Sequence, residues 1–210
     1  MTKHSAPATP FVGPKAPMLP ARPKVTDVEI VAGLTRGEAW AADALYDRVL
    51  PHVERALRRV LRYGGSDYDD LLQSSFERII RVLGERSLGG ACDLPSWSSA
   101  VAAHVALDAL RRRAREQRLF GDELPQDTNR AGEPSPEAAA DARQNVARVQ
   151  GVLARMKPKY AEAVLLHDVL GHDLREIAVI LGASVAAVQS RLVRGRKQLL
   201  RRARAERCTP

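Results

Sequence analysis

The chain has 210 residues, 45% of them hydrophobic and only 4% aromatic, so its cores must be built mainly from aliphatic side chains. This composition favours close-packed helices over sheets, and the length suits two small domains. The net charge of +8 is concentrated towards the C-terminus: residues 143–210 hold fourteen Lys or Arg against five Asp or Glu, as binding to a phosphate backbone requires.

Residues 1–25 form a proline-rich arm, which we expect to be disordered. The arm has no long apolar run, so it resembles neither a signal peptide nor a membrane span. The two cysteines, Cys92 and Cys208, lie in different segments and lack the spacing of a metal site. Because unpaired cysteines suit a reducing compartment, the sequence predicts a cytoplasmic protein without membrane insertion.

Two helices are predicted directly after the arm. Thr26 and Glu29 have the spacing of a capping box, which predicts a helix from Asp27 to about Leu34. In the longer helix that follows, Pro51 interrupts the hydrogen-bond ladder and predicts a kink or a break. The apolar stripe of this second helix consists of Leu45, Val49, Val53, Leu57 and Leu61.

Two further helices complete an N-terminal module. Ser66 and Asp67 can cap the third helix, and Gly84 is expected to end it. The fourth helix follows a loop to Pro95, runs from about Trp97 to Arg118 and ends in two strongly cationic turns. The core residues predicted from their spacing are Leu71, Leu72, Phe76, Ile79, Ile80 and Leu83 in the third helix, and Val101, Val105, Leu107 and Leu110 in the fourth.

Residues 119–137 are predicted to be an acidic linker. Between residues 121 and 141 the sequence has six acidic residues, three prolines and a single basic residue, Arg130. A segment of this charge is repelled by a phosphate backbone, so it must lie away from nucleic acid or mimic it.

The C-terminal module begins with helices predicted over residues 136–156 and 158–169. They supply Val149, Val152, Leu153, Val164 and Leu165 as a core against which later helices can pack.

A helix-turn-helix is predicted between Asp173 and Leu199. Asp173 and Glu176 form a second capping-box pattern, Gly182 permits a left-handed turn, and Ser184 can cap the second helix. The inward stripe of that helix is Val188, Leu192, Gly195 and Leu199, which leaves Arg191, Arg194, Arg196 and Lys197 outside.

Three stretches, in this order, resemble the bacterial alternative sigma factors of the extracytoplasmic-function (ECF) group. They are GSDYDDLLQSSFERIIR from Gly65, WSSAVAAHVALDALRRRAR from Trp97 and LARMKPKYAEAVLLHDVLGHDLREIA from Leu153. The resemblance implies an all-α fold with a region 2-like four-helix module at 26–118, which docks on polymerase and opens the promoter. It also implies a linker at 119–137 in the polymerase's RNA path and a region 4-like helix-turn-helix module at 138–207.

The resemblance further implies partners and site residues. The partners are core RNA polymerase, promoter DNA and an anti-sigma factor, and the protein outside the holoenzyme would be a monomer. The implied polymerase-binding residues are Asp69, Asp70, Leu71 and Gln73. The residues implied for the downstream promoter element are Trp97, His104, Asp108, Arg111, Arg112, Arg113 and Arg115. Those implied for the helix-turn-helix are Ser184, Gln189, Ser190, Arg191, Arg194 and Lys197.

Several positions depart from the family pattern and leave alternatives open. The departures are Ser74 in the polymerase-contact helix, His104, Ser98 and Ser99 in the fourth helix, and Ala187 and Gln189 in the last. Trp97 could stack on an unpaired base or belong to the core. With these changes the chain could be a diverged sigma-like interaction protein without promoter opening, or a helix-turn-helix regulator that works without polymerase.

No enzymatic function is predicted. The five histidines have no paired metal spacing, and the sequence contains neither a glycine-rich phosphate loop nor a nucleophile elbow. His167, Asp168, His172 and Asp173 fall around a helix end, where polar residues are expected without a metal. The sequence therefore predicts no catalytic residues, no metal and no cofactor.

Overall fold

A computed structural model describes residues 25–61, 67–85, 93–120 and 136–205. These residues form helices and turns without a strand, which confirms the all-α prediction. The predictions made for residues 1–24, for Ser66, for both cysteines and for most of the acidic linker lie outside them. The helices are α1 (Asp27–Thr35), α2 (Ala39–Leu61), α3 (Tyr68–Glu85), α4 (Leu94–Phe120), α5 (Pro136–Arg155), α6 (Pro158–Val164), α7 (Leu174–Ile180) and α8 (Val185–Ala205).

Helix α1 starts at the predicted capping box. The backbone N–H of Thr26 donates to the Glu29 carboxylate at 2.7 Å, and the Glu29 N–H donates to the Thr26 hydroxyl at 3.3 Å. These bonds satisfy backbone donors that have no partner within the helix. Thr26 and Glu29 therefore confirm the local prediction.

Helix α2 is continuous through Pro51, so the predicted break does not occur. Proline removes only one hydrogen bond from the ladder, and the apolar stripe on both sides of Pro51 is fully buried. Burial of that stripe holds the two halves of α2 in one helix, as predicted for Leu45, Val49, Val53, Leu57 and Leu61.

Helix α4 is the central helix of the N-terminal module and packs against both α2 and α3. It begins at Leu94, three residues before the predicted start, because the Asp93 carboxylate accepts the Ser96 N–H at 3.1 Å and Pro95 is tolerated in a first turn. Its predicted core residues are buried, and so are small residues around it that allow neighbouring helices to approach closely: Ala100, Ala102, Ala103, Ala106 and Ala109.

In the C-terminal module, α6 continues into a π-helical segment, Leu165–Val169, that the sequence pattern did not predict. Val152, Leu153, Val164 and Leu165 are buried as expected. Val149 was expected in the core, but it is 42% exposed. It lines an open groove between α2 and α5. This face of α5 is directed at the N-terminal module and not at the core of the C-terminal module.

The two modules pack against each other. Helix α5 lies against α4, and the π-helical segment contacts both α2 and α4. The described residues thus form one body, with the α4 face that carries His104 directed at the C-terminal module.

No single helix among the described residues is long and apolar enough to cross a membrane, and α7 with α8 reaches that length only across a bend of 103°.

Candidate polymerase and nucleic-acid interfaces

The turn between α7 and α8 has the local geometry predicted for a helix-turn-helix. The Asp173 carboxylate accepts from the backbone N–H of Glu176 at 2.9 Å and of Arg175 at 2.7 Å, and these bonds lower the pKa of Asp173. Gly182 adopts φ +57°, and the Ser184 hydroxyl accepts the Ala187 N–H at 3.2 Å. The caps at both helix starts are therefore confirmed.

Helix α8 is fixed against α6 by a close backbone approach. Val188, Leu192 and Gly195 are buried, as predicted. A Cβ atom on Gly195 would lie 2.7 Å from Val164 Cγ2 and 2.9 Å from the carbonyl oxygen of Tyr160, so only glycine fits at this crossing. The buried side of α8 determines which side faces outward.

The outward face of α8 is polar and cationic, with apolar residues among its polar ones. Val193 is 60% exposed there and Val185 is exposed near the start of the helix, and neither residue is among the predicted DNA contacts. Val193 lies off the buried stripe, and that signal could have identified it as a possible contact for a thymine methyl group. The predicted residues on exposed or half-exposed positions are Ser184, Gln189, Ser190, Arg191, Arg194 and Lys197.

Two arginines of α8 interact with side chains of the preceding helical segments. A hydrogen bond from Arg194 to the Tyr160 hydroxyl is the main reason that the pKa of Tyr160 is lowered. The Arg196 Nε donates to Asp168 at 2.9 Å, and this bidentate pair lowers the pKa of Asp168. Arg196, expected on the outer surface, is exposed, but its guanidinium is directed at the π-helical segment.

The predicted polymerase-contact residues of α3 divide into an exposed and a buried set. Asp69, Asp70 and Gln73 are exposed, and Gln73 donates to Glu77 at 2.9 Å. Leu71 is only 6% exposed and packs in the core, so it anchors this face of α3 to the module instead of contacting a partner directly.

An apolar strip continues the exposed face of α3. Phe76 stacks on Tyr46 of α2 with ring centroids 4.9 Å apart. Ile80, expected in the core, is 49% exposed, and Leu72 and Phe76 are only half-buried. The sequence pattern did not separate these residues from the core because all of them follow helical spacing with it.

On α4, most of the predicted DNA-contact residues with charged side chains form ion pairs. Asp108 lies 3.2 Å from Arg111 and 3.5 Å from Arg78, which joins α4 to α3. Arg113 pairs with Asp67 at 3.3 Å, and Arg112 lies 3.9 Å from Glu116. Arg115 is exposed and has no ion pair within the described ranges, so it is the most available cation of this group.

The remaining predicted residues of α4 face the other module. His104 Nδ1 donates to the Ala100 carbonyl at 2.7 Å, and its outer Nε2 lies 3.9 Å from the carboxylate of Glu162 on α6. Ser98 and Ser99 are buried, and Trp97 is half-buried against the core. In this arrangement His104 is not open to a base.

The polar residues around the π-helical segment pair with one another. His167 Nδ1 lies 2.8 Å from Asp168, while His172 lies 8% exposed beside Ser99. Within the part of the chain that the structure describes, no group of three or more His, Cys, Asp or Glu residues could hold a metal ion.

Comparisons with known families match both modules. Residues 45–116 match the model of Sigma-70 region 2, and residues 147–199 match that of Sigma-70, region 4. The first match runs from α2 through α3 into α4, and the second runs from α5 into α8.

Individual relatives give the same result. SigE of Mycolicibacterium smegmatis, an ECF RNA polymerase sigma factor, is 31% identical over 167 residues, which cover 78% of this chain and 63% of SigE. The RNA polymerase sigma factor CnrH of Cupriavidus metallidurans is 32% identical over 141 residues, covering 64% of this chain and 72% of CnrH. A solved structure of CnrH in complex with the cytosolic domain of CnrY has a similar fold, with a TM-score of 0.50 at 22% identity, covering 85% of this chain and 97% of that one.

Proposed function

Because this chain belongs to the ECF group of RNA polymerase sigma factors, we propose that it directs core RNA polymerase to specific promoters for transcription initiation. The observation that carries the proposal is the presence, in one chain, of a capped helix-turn-helix with a cationic outer face and of a second module with an acidic exposed helix. Sigma factors are regulatory proteins, so the chain acts by binding in the cytoplasm, where the polymerase is.

The α3 face docks on polymerase. Asp69 and Asp70 are exposed in the first turn of α3 and Gln73 follows one turn later, so a basic helix of the polymerase meets carboxylates and an amide along one line. The adjacent strip of Tyr46 and Ile80 adds apolar area to the same contact.

The helix-turn-helix reads the upstream promoter element. Gln189 is placed to pair with adenine, and Arg191 and Arg194 contact guanine or phosphate in the major groove. Arg194 is exposed on this face of α8, so its guanidinium can reach the groove.

The N-terminal module captures the downstream element through α4. Arg115 and the paired arginines around it contact phosphates. His104 reaches a base only after Glu162 has moved away from it, so promoter opening requires the two modules to separate.

We also propose an anti-sigma factor as a partner. The CnrH structure holds a sigma factor together with the cytosolic domain of CnrY, and the fold it shares with this chain supports the same kind of regulation here.

The deciding experiment mixes the purified chain with core polymerase and maps transcript starts genome-wide, with run-off transcription from the strongest promoter. Starts that depend on the chain are expected. Co-purification with core enzyme without run-off product would indicate a sigma-like interaction protein instead. A sequence-specific gel shift without polymerase, combined with failure to co-purify, would indicate a helix-turn-helix regulator.

A further inference from the structure

A small polar cavity of about 260 Å³ lies where the two modules meet. One wall is a single face of α2, on which His52, Arg55 and Arg59 recur at helical spacing. The opposite wall combines Ser96 and Ser99 of α4 with the residues from Leu170 to His172 and Glu176. Both modules therefore line one half-open space.

The charge in this cavity is positive. Arg55 has no hydrogen bond or ion pair with any residue that the structure describes. The Arg59 Nη1 donates to the carbonyls of Val169 and Leu170, and the other N–H groups of the guanidinium remain available as donors. Glu176 is the one carboxylate among the lining residues, and it accepts the Asp173 N–H at 2.9 Å. Two guanidinium groups thus face a single carboxylate, which already accepts a backbone hydrogen bond.

The buried wall of the cavity is organised in advance. The Ser99 hydroxyl donates to the Ser96 carbonyl at 2.8 Å, and a hydroxyl has only one hydrogen to donate. Ser99 must therefore accept from His172 Nε2, which lies 3.0 Å away, so that this ring nitrogen carries a hydrogen. The bond fixes the orientation of a histidine that is 8% exposed.

We propose that this cavity binds a small phosphate-class oxyanion. The planar fork of an arginine matches phosphate oxygens, and Arg55 and Arg59 place two such groups on one side of the cavity. The volume lies just below the roughly 300–1,000 Å³ of pockets for drug-sized ligands, so free phosphate or pyrophosphate fits better than a nucleotide. A nucleic-acid duplex is too wide for a space of this size between α2, α4 and the turn before α7.

A bound oxyanion would also stabilise the contact between the modules. The cavity exists only where α2 and α4 meet the turn before α7, and a ligand that binds only this packed arrangement shifts the equilibrium towards it. The anion thereby holds His104 against Glu162. This consequence concerns packing and does not depend on the proposed function.

The test uses the full chain with inorganic phosphate and with pyrophosphate, each against chloride at constant ionic strength. Calorimetric titration and thermal melts are compared for the natural chain, Arg55→Gln and Arg58→Gln. Arg58 is the matched control, because it lies on the same helix outside this cavity and pairs with Glu54 at 3.3 Å. We expect saturable binding and a raised Tm for the natural chain and for Arg58→Gln, and at least tenfold weaker binding for Arg55→Gln.

Three results would overturn the proposal. The first is the absence of saturable binding by the natural chain. The second is an equal loss in Arg55→Gln and Arg58→Gln, which would indicate a generally basic surface. The third comes from a parallel titration with a duplex oligonucleotide: if Arg55→Gln weakens only that binding, the arginine serves DNA and not a small anion.

Discussion

The side-chain amide of Gln150 lies 2.8 Å from the carbonyl oxygen of Leu61, the last residue of α2. It also donates to Val60 at 2.9 Å. Gln150 belongs to α5, so one module caps a helix of the other. Arg59 does the reverse when it donates to Val169 and Leu170 at the end of the π-helical segment. The modules are therefore held together by oriented hydrogen bonds as well as by apolar packing.

Replacing Gln150→Ala and Arg59→Ala together should separate the modules. Each hydrogen bond has a net worth of about 0.5–1.5 kcal/mol, so losing both side chains should destabilise the packed arrangement by about 2 kcal/mol. Small-angle scattering should show a larger radius of gyration, and fluorophores on exposed sites of α3 and α8 should lie further apart. Arg48→Ala, which removes a pair within the N-terminal module, is the control. An unchanged radius in the double variant would contradict the capping argument.

Gly195→Ala should destabilise the C-terminal module even though alanine is the better helix former. The new Cβ would lie 2.7 Å from Val164 Cγ2 and 2.9 Å from a backbone oxygen that cannot move aside. Overpacking of this kind typically costs about 1–3 kcal/mol. The free energy of unfolding from denaturant titration measures the loss.

Gly151→Ala is the matched control for that substitution. Its Cβ would meet only the flexible end of Arg155, at 3.5 Å or more. Alanine should therefore stabilise the chain by roughly 0.5–1 kcal/mol, as in other helix interiors. If both glycine variants shift the free energy of unfolding in the same direction, α6 and α8 do not cross as closely as described.

The ion pair of Asp168 with Arg196 should make stability depend on pH. The hydrogen bond from Arg196 lowers the pKa of Asp168 in the folded chain below its ordinary value of 3.8. The pair therefore stabilises the fold above that ordinary value, and its contribution is lost as the pH falls through the folded pKa. The Tm difference between the natural chain and Asp168→Asn should be largest near neutral pH and should shrink below about pH 4. Asp43→Asn, on the exposed side of α2, should show no such trend.

Arg191→Ala and Arg194→Ala should each weaken promoter binding by the holoenzyme and reduce its salt dependence. Each lost phosphate contact lowers the slope of log affinity against log salt by about 0.9. An arginine that reads a base would instead lose affinity for one sequence more than for others. Filter binding at several salt concentrations separates the two cases, with Arg148→Ala on α5 as control. If neither variant changes affinity, the outward face of α8 does not contact DNA.

Local interactions explain which parts of the fold the sequence could predict. The capping boxes at Thr26 and Asp173 depend on residues three positions apart, so the pattern alone locates these helix starts. The start of α4 was missed because the capping side chain is Asp93, two residues before a proline that suggested a loop.

Contacts between modules account for what could not be predicted. Periodicity separates an apolar face from a polar one but does not say what covers that face, so Val149 and Ile80 were assigned to the core. Likewise, His104 was expected at a DNA surface, and only the packing of α5 and the π-helical segment against α4 brings Glu162 beside it. The tendency of Leu165–Val169 to widen into a π-helix has no sequence signature that we can identify.

The exchange of caps between Gln150 and Arg59 also affects how the chain can vary. If Gln150 or Arg59 is replaced, carbonyl oxygens at a helix end of the other module lose a hydrogen-bond donor and must bind water instead. Because each side chain bonds backbone carbonyls of the other half, a loss at one position cannot be compensated by a change at the other, and a foreign C-terminal half without a glutamine at the position of Gln150 would leave the end of α2 uncapped even if both halves fold.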